Sequence, residues 1–269
     1  MKADIIWLGS TDSTNEEAKR HISEIDNLSV LSAFGQTAGR GQRGNTWSSE
    51  AGENLTFSII LKFSGPESNM SDENTLKSIR AYDQFVLTEI ASLSVVKFLS
   101  GYGVQAKIKW PNDIYVGSRK ICGMLIENSI RGNQLSSSII GIGLNINQRN
   151  FDVNIPNPTS LVLVSASERL DIRKCLEEFT AIFETYLERY LTMTSEEENP
   201  NGYMDLRKEY LENLWLLNAP ARFLDLRSDE REFPGIIRGL SPFGLLQIED
   251  IDKGALDEYA FKEIGYMIR

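Results

Sequence analysis

Apolar residues recur along this chain in two rhythms, one suited to strands and one to helices. Ile5 to Leu8 is a short apolar run that reads as a strand, and the Ser13-x-x-Glu16 spacing after it is a capping box, predicting a helix through about Ile25. Ser29 to Gly35 and Leu55 to Phe63 predict two further strands that bracket a polar, glycine-rich loop from Gly39 to Gly52. After a surface loop at 64–75, Ile79, Val86, Ile90, Leu93, Val96 and Leu99 fall on one face of a long helix, which should cover a sheet. Ala106 to Trp110, Ile114 to Val116, Lys120 to Glu127 and Leu135 to Ile142 then follow at short intervals with turn residues between them, the pattern of an antiparallel meander. Asp171 is placed to cap a second long helix whose stripe is Ile172, Leu176, Phe179, Phe183, Tyr186 and Tyr190. A polar break at 195–202 precedes a third helical stretch, Tyr203 to Leu217, which Asn218 to Pro220 should stop.

From Ala221 to Arg269 the rhythm changes. Short strand-like runs (ARFLDL, GIIRGL, GLLQI and a final YAFKEIGYMIR) alternate with turns, with Gly235, Gly239, Gly244 and Gly254 as punctuation, and a small five-stranded barrel fits. The fold class expected is therefore α+β: a mixed, largely antiparallel sheet with covering helices over residues 1–218, followed by a small β-barrel over 219–269. No Pro-rich or charged linker separates the two, so they should pack rather than swing.

Composition narrows the chemistry. A net charge of -10 over 269 residues argues against a broad nucleic-acid footprint, which wants clustered positive surface. No stretch approaches the uninterrupted apolar length of a membrane span, and the first ten residues have no secretory pattern, so neither a membrane nor secretion is expected and the cytoplasm is the simplest compartment. Cys122 and Cys175 are too few for a disulfide framework and are assigned to packing. His21 is the only histidine, so paired-histidine zinc sites and histidine-based triads have almost no material. Any chemistry must rest on Lys, Arg, Asp, Asn and the backbone.

Four segments carry that chemistry. Gly39 to Gly44, GRGQRG, matches a dinucleotide-binding fingerprint letter for letter, but it leads into a strand rather than a helix and lacks the acidic residue expected downstream. A bland surface loop is the other reading, although arginines among glycines suit an anion: freed amides approach it closely and guanidinium groups grip its oxygens. In Lys109-Trp110-Pro111-Asn112-Asp113 the proline stops a strand, and a Gly117-Ser118 turn brings Lys120 back towards Asn112 and Asp113 at one hairpin mouth. Taken blandly, that is a strand end and an exposed hairpin charge. Gly141 to Asn147, GIGLNIN, sets glycines in a strand, which mark either sheet packing or close approach of a ligand. Asp12-Ser13-Thr14-Asn15 is a helix cap that can also touch a ligand.

Together, in this order and spacing, an STN box, a GRGxxGxxW loop, KWPND, a lysine seven residues after its aspartate and GxGxN resemble the biotin protein ligases. The terminal barrel resembles the small SH3-like domain of that family, and the main sheet would then be the biotin ligase catalytic domain, related to class II aminoacyl-tRNA synthetases. No amino-terminal DNA-binding helix-turn-helix is present in the sequence, as in the monofunctional class. The resemblance implies an enzyme, a biotin–[biotin carboxyl-carrier protein] ligase. It implies biotin contacts at Ser13, Thr14, Asn15, Gln36, Arg40, Gly41, Gln42, Lys120 and Gly141, and ATP or adenylate contacts at Arg43, Trp47, Lys109, Asn112 and Asn145. Lys120, Arg40 and Asp113 are the catalytic candidates. ATP, Mg²⁺ held mainly by its phosphates with Asn145 as the candidate protein contact, biotin as substrate, and a carboxylase carrier domain as partner follow from the same resemblance, with no DNA and no membrane, in a monomer or homodimer. Gln42 and Asn45 stand where many relatives have arginine, which implies looser retention of an adenylate. A lipoate or octanoate transferase of the same fold is the nearest alternative; a non-catalytic sensor or a single-strand nucleic-acid module acting through the barrel are the others.

Overall fold

In the computed structural model the residues described are 2–64, 75–195, 202–227 and 230–267, with the side chains of 43, 193–195 and 202–204 left aside. A seven-stranded sheet is built from β1 (Ile5–Thr11), β2 (Val30–Gln36), β3 (Leu55–Lys62), β4 (Lys107–Lys109), β5 (Asp113–Val116), β6 (Arg119–Arg131) and β7 (Gln134–Leu144), in the spatial order β1-β2-β3-β7-β6-β5-β4. Only β1 and β2 pair in parallel; the other neighbours are antiparallel, so the sheet is mixed. Helix α1 (Thr14–Arg20) joins β1 to β2, α2 (Phe85–Gly101) precedes β4, and α3 (Leu161–Ser165), α4 (Ile172–Ser195) and α5 (Gly202–Glu212) follow β7. A second, five-stranded antiparallel sheet holds β8 (Pro220–Asp225), β9 (Arg231–Leu240), β10 (Leu246–Asp250), β11 (Ala255–Tyr259) and β12 (Ile264–Tyr266), in the order β11-β10-β9-β8-β12.

A large apolar core joins both sheets with α2, α4 and α5, and a second, smaller cluster of Ala18, Leu31, Ile60 and Ile139 packs α1 on the main sheet. Phe57 on β3, Phe98 on α2 and Phe179 on α4 pack ring against ring beneath the main sheet. Phe223, Phe233 and Tyr259 do the same inside the smaller sheet. Helix α2 is buried on several faces, not one, because α4 and α5 as well as the sheet lie against it, and it carries Glu89, Ser92 and Ser94 inside. Glu89 pairs there with Arg207 of α5, whose Nη1 also donates to the Ser241 carbonyl at 2.7 Å. The smaller sheet is thus tied down by a buried ion pair, and Trp110 Nε1 adds a hydrogen bond to the Gly244 carbonyl at 2.9 Å. Gly244 has φ 84 and faces the Phe85 ring, so both its conformation and the space require glycine.

Several sequence expectations need correction, each for a visible reason. The capping box does not form: Ser13 is the N-cap but makes no side-chain cap bond, since its own N–H donates to Asp12 and Glu16 is engaged by Lys19 and Arg40. Helix α1 ends at Arg20, five residues early, in turns closed on the His21 carbonyl. Ile79 lies outside α2 because its carbonyl accepts from Leu135 N–H and Ala81 N–H donates to Asn133, pinning 79–81 to the hairpin. Helix α5 stops at Glu212, since Asn213 and Trp215 exchange backbone bonds with Ile108 of β4. Gly235 and Gly239 sit inside β9 rather than at turns, and a Cβ on Gly235 would meet Ile248, Phe223 and Phe233. The final run, Tyr259 to Arg269, supplies one short strand, β12, and only the last residue of β11, most of which precedes it. Most of the expected 64–75 loop and the 195–202 break lies outside the described residues.

Candidate active site

The glycines of β6 and β7 create the site. Gly123 and Gly143 are register partners across the two strands, and Gly141 pairs with Leu125. Without their side chains a cavity of about 310 Å³ opens on the sheet face, the size range of sites for small ligands. A Cβ on Gly143 would strike the Trp47 indole, and one on Gly141 the Asn15 amide. These positions therefore need glycine because the Trp47 and Asn15 side chains lie directly on the strand backbone.

At one end of the cavity, the start of α1 presents Ser13, Thr14 and Asn15, all buried. Thr14 donates through its N–H, at 2.8 Å, and its hydroxyl, at 3.2 Å, to Gln36 Oε1. That fixes the Gln36 amide with its NH₂ end turned away from Thr14. Asn15 is oriented the opposite way: its Nδ2 donates to Leu125 O at 3.2 Å and Glu127 Oε2 at 2.8 Å, while Oδ1 accepts from Ser58 Oγ at 2.6 Å. The end therefore combines a fixed acceptor with a fixed donor.

Cations line the other parts. Lys120 pairs with Tyr115 across the β5–β6 hairpin, whose turn uses Gly117 at φ 61, and Asp113 faces Gly123, which has no side chain to intervene. Lys120 Nζ consequently reaches Asp113 Oδ1 at 2.7 Å. Lys109 Nζ lies 5.0 Å from the ring centres of Tyr115 and Tyr266. Burial pushes the Tyr115 phenol up to about 12, with the Asp113 charge acting the same way, so it stays protonated. The loop closes over the cavity as a tight reversal, with Arg40 bridging Thr46, Gly41 N–H donating to Asn45 O at 2.7 Å and Trp47 N–H to Gly39 O at 2.9 Å. Trp47 rests on Gly143 and Gly123 with Lys120 Nζ 5.8 Å from its ring. Arg40 lines the rim, but its guanidinium pairs with Glu16 and lies 3.7 Å from Glu127.

Nearly every candidate from the sequence thus lines one cavity: Ser13, Thr14, Asn15, Gln36, Arg40, Gly41, Gln42, Trp47, Lys109, Asn112, Asp113, Lys120 and Gly141. Asn145 does not line it; its Nδ2 donates to Thr159 O and its Oδ1 is buried without a partner. The side chain of Arg43 lies outside the described residues. Buried polar atoms without partners also occur on the lining, at Gln42 Oε1, Trp47 Nε1 and Tyr266 Oη, which suits a site completed by a ligand. Among the described residues no group of three His, Cys, Asp or Glu side chains could hold a metal ion. Both cysteines are buried free thiols pushed up by desolvation, as packing residues should be. Sequence reasoning missed Glu127 and Ser58 behind Asn15, and Phe261, Ile264, Gly265 and Tyr266, which the smaller sheet contributes to the wall. Nothing in the local sequence around Tyr266 signals that contact, because only the docking of the two sheets creates it.

A mixed sheet floored with glycine, lidded by a glycine-rich loop and lined by amides and lysines defines an α+β protein with a polar cavity of small-molecule size. More specifically, the chain belongs to the Biotin/lipoate A/B protein ligase family, whose family model matches residues 7–145. The Bifunctional ligase/repressor BirA of Escherichia coli K12 is 27% identical over 240 residues, covering 88% of this chain and 67% of that protein. The BirA of Bacillus subtilis 168 is 30% identical over 188 residues, and the chain spans 53% of its length. A biotin–[acetyl-CoA-carboxylase] ligase of Paracoccus denitrificans is 26% identical over 239 residues, 89% of this chain and 91% of the relative. The solved biotin protein ligase of Aquifex aeolicus in complex with biotin and ATP has the same fold, with a TM-score of 0.73 over 99% of both chains at 24% identity.

Proposed function

We propose that this protein is an ATP-dependent ligase that forms biotinyl-5′-AMP from biotin and ATP and transfers the biotinyl group to a lysine of a carboxylase's biotin carrier domain. The observation that carries the reading is the polarity of this cavity: a fixed acceptor and donor, Asn15 and Gln36, lie at one end, and Lys120 stands on its glycine floor. A cyclic urea offers N–H donors and a carbonyl acceptor to such an amide pair, and an ionised carboxylate suits the lysine. An aliphatic chain or a dithiolane offers neither the Gln36 NH₂ group nor Asn15 Oδ1 a further partner.

In the first half-reaction the substrate carboxylate attacks the α-phosphorus of ATP and displaces pyrophosphate, and no base is needed because the acid is already ionised at neutral pH. What it needs is cancellation of like charge. Lys120, on exchanging Asp113 for the ligand carboxylate, and Arg40, on leaving Glu16, supply that. Magnesium carried by ATP would screen its phosphates; Asn145, the candidate protein contact, has a buried Oδ1 without a partner but does not line the cavity, so it would hold the ion only after a local rearrangement. Trp47 packs against the adenine, Lys109, Asn112 and Arg43 hold the nucleotide, and Gly41 and Gln42 bring the loop backbone and amide to the intermediate. In the second half-reaction Asp113, released from Lys120, accepts a proton from the attacking carrier amine. The loop meanwhile excludes water from the mixed anhydride.

Residues 219–269 act in this scheme as a barrel domain that walls the cavity, and 1–218 as the catalytic domain. The negative net charge supports a protein rather than DNA as partner. No described helix is long and apolar enough to cross a membrane, and a cytoplasmic monomer or homodimer is the proposed form. Incubation with ATP and biotin, lipoate or octanoate, with the adenylates separated by mass, tests the substrate: biotinyl-adenylate alone is expected. Activation of lipoate or octanoate in place of biotin would transfer the proposal to the other branch of the family.

A further inference from the structure

The amide of Asn15 can present an acceptor to a ligand only while something prevents it from turning over. Asparagine rotates readily about its last bond, and the two ends differ by exchange of a donor for an acceptor. Three neighbours set its orientation. Ser58 Oγ donates to Oδ1 at 2.6 Å, Leu125 O accepts one Nδ2 hydrogen at 3.2 Å, and Glu127 Oε2 accepts the other at 2.8 Å. The hydroxyl of Ser58 can rotate and accept instead of donate, so it does not enforce a choice. Leu125 O and the Glu127 carboxylate are acceptors in every state, and only the latter is charged.

Glu127 is itself held. Its Oε1 receives Lys19 Nζ at 2.7 Å, and Arg40 Nη1 lies 3.7 Å away. Desolvation pushes its carboxyl upward, but the hydrogen bonds from Lys19 and Asn15 and the charges of Lys19 and Arg40 outweigh that, leaving it below the ordinary range and ionised. It sits on β6 four residues past Gly123, behind the cavity wall and absent from its lining. Of the cavity-lining residues it hydrogen-bonds Asn15 and lies 3.7 Å from Arg40, whose nearer partner is Glu16, so its direct route to a ligand runs through Asn15.

We infer that Glu127 is a positioning residue that locks the Asn15 amide with its carbonyl oxygen towards the ligand, and so selects acids whose ring end donates an N–H. The inference rests on the functional reading above and assigns the part of that site which sets ring-end specificity. Flipping the amide would set Oδ1 against an ionised carboxylate and a carbonyl, two acceptor–acceptor contacts, and would turn NH₂ towards a ligand N–H.

Steady-state adenylate formation by Glu127→Leu and Glu127→Gln tests this, with biotin and ATP varied separately and melting temperature followed as a check on folding. Glu127→Leu should raise the KM for biotin by roughly ten- to a hundredfold, the scale of a lost charged hydrogen bond and a mispaired buried amide. Its kcat and its KM for ATP should stay near the wild-type values. Glu127→Gln, which still offers Asn15 an acceptor, should recover most of the biotin KM without restoring the charge. A biotin KM unchanged in Glu127→Leu would overturn the inference, as would equal damage to kcat and the ATP KM, or a glutamine variant as poor as the leucine one. Wild-type protein that forms no biotinyl-adenylate would bring down the functional reading, and this inference with it.

Discussion

Replacement of Gly143 by alanine is the smallest change that should separate nucleotide binding from the rest of the site. The strand itself tolerates alanine, but the added Cβ would fall 2.7 Å from Trp47 Cζ2 and closer still to the neighbouring ring atoms, inside any real contact distance. The indole is rigid, and its backbone is held by the bond from Trp47 N–H to Gly39 O at 2.9 Å and by the Arg40–Thr46 bridge next to it, so the ring must tilt off the floor or lift the loop. If Trp47 stacks on adenine, losing that geometry forfeits about 1–3 kcal/mol of base–aromatic stacking. This converts to a roughly five- to 150-fold rise in the KM for ATP. The biotin KM should change far less, because Asn15 and Gln36 approach the cavity from α1 and β2. Kinetics of Gly143→Ala, Trp47→Ala and the double variant form a cycle that isolates the contact. The alanine at 143 should cost almost nothing once Trp47 is gone. Equal, additive losses in both backgrounds, or an unchanged ATP KM in the single variant, would refute the argument.

Three other perturbations have outcomes that follow from the geometry. Lys120→Ala should cut adenylate formation by orders of magnitude yet leave the melting temperature nearly unchanged, since the Lys120–Asp113 pair is partly exposed and such pairs contribute little to stability; wild-type activity would remove Lys120 from the chemistry. Arg207→Met removes the buried ion-pair partner of Glu89 and should destabilise the protein by about 3–5 kcal/mol in chemical denaturation, and restoring charge balance with Glu89→Gln should recover much of it. Asp225 is held down to about 2, first by its hydrogen bond from Arg227, against an ordinary 3.8. Its contribution is therefore present above pH 3.8 and lost as the pH falls from there through about 2, so melting curves of wild type and Asp225→Asn should differ most near neutrality and converge at the acid end.

Most of the site was legible in the sequence because its residues sit in short segments with fixed local geometry. Gly141 and Gly143 alternate on one strand, the Gly117-Ser118 turn returns Lys120 to Asp113, and Gly39 to Trp47 is one loop reversal. Helix limits were less legible, because tertiary backbone bonds override propensity: Ile79 and Trp215 both look helical in isolation, yet each is claimed by a strand or hairpin elsewhere in the chain. The second layer was not legible at all. Glu127 reaches Asn15 across 112 positions, and Tyr266 reaches the cavity only because Gly244, Trp110 and Arg207 dock the smaller sheet on the larger one.

The most direct test of the account is the mass of an apo biotin carrier domain incubated with this protein, biotin, ATP and Mg²⁺, with α-labelled nucleotide followed in parallel. Biotinyl-adenylate should form first, and the carrier should then gain one biotinyl group on its lysine, with AMP released. A carrier that stays unmodified while no labelled adenylate appears would contradict it.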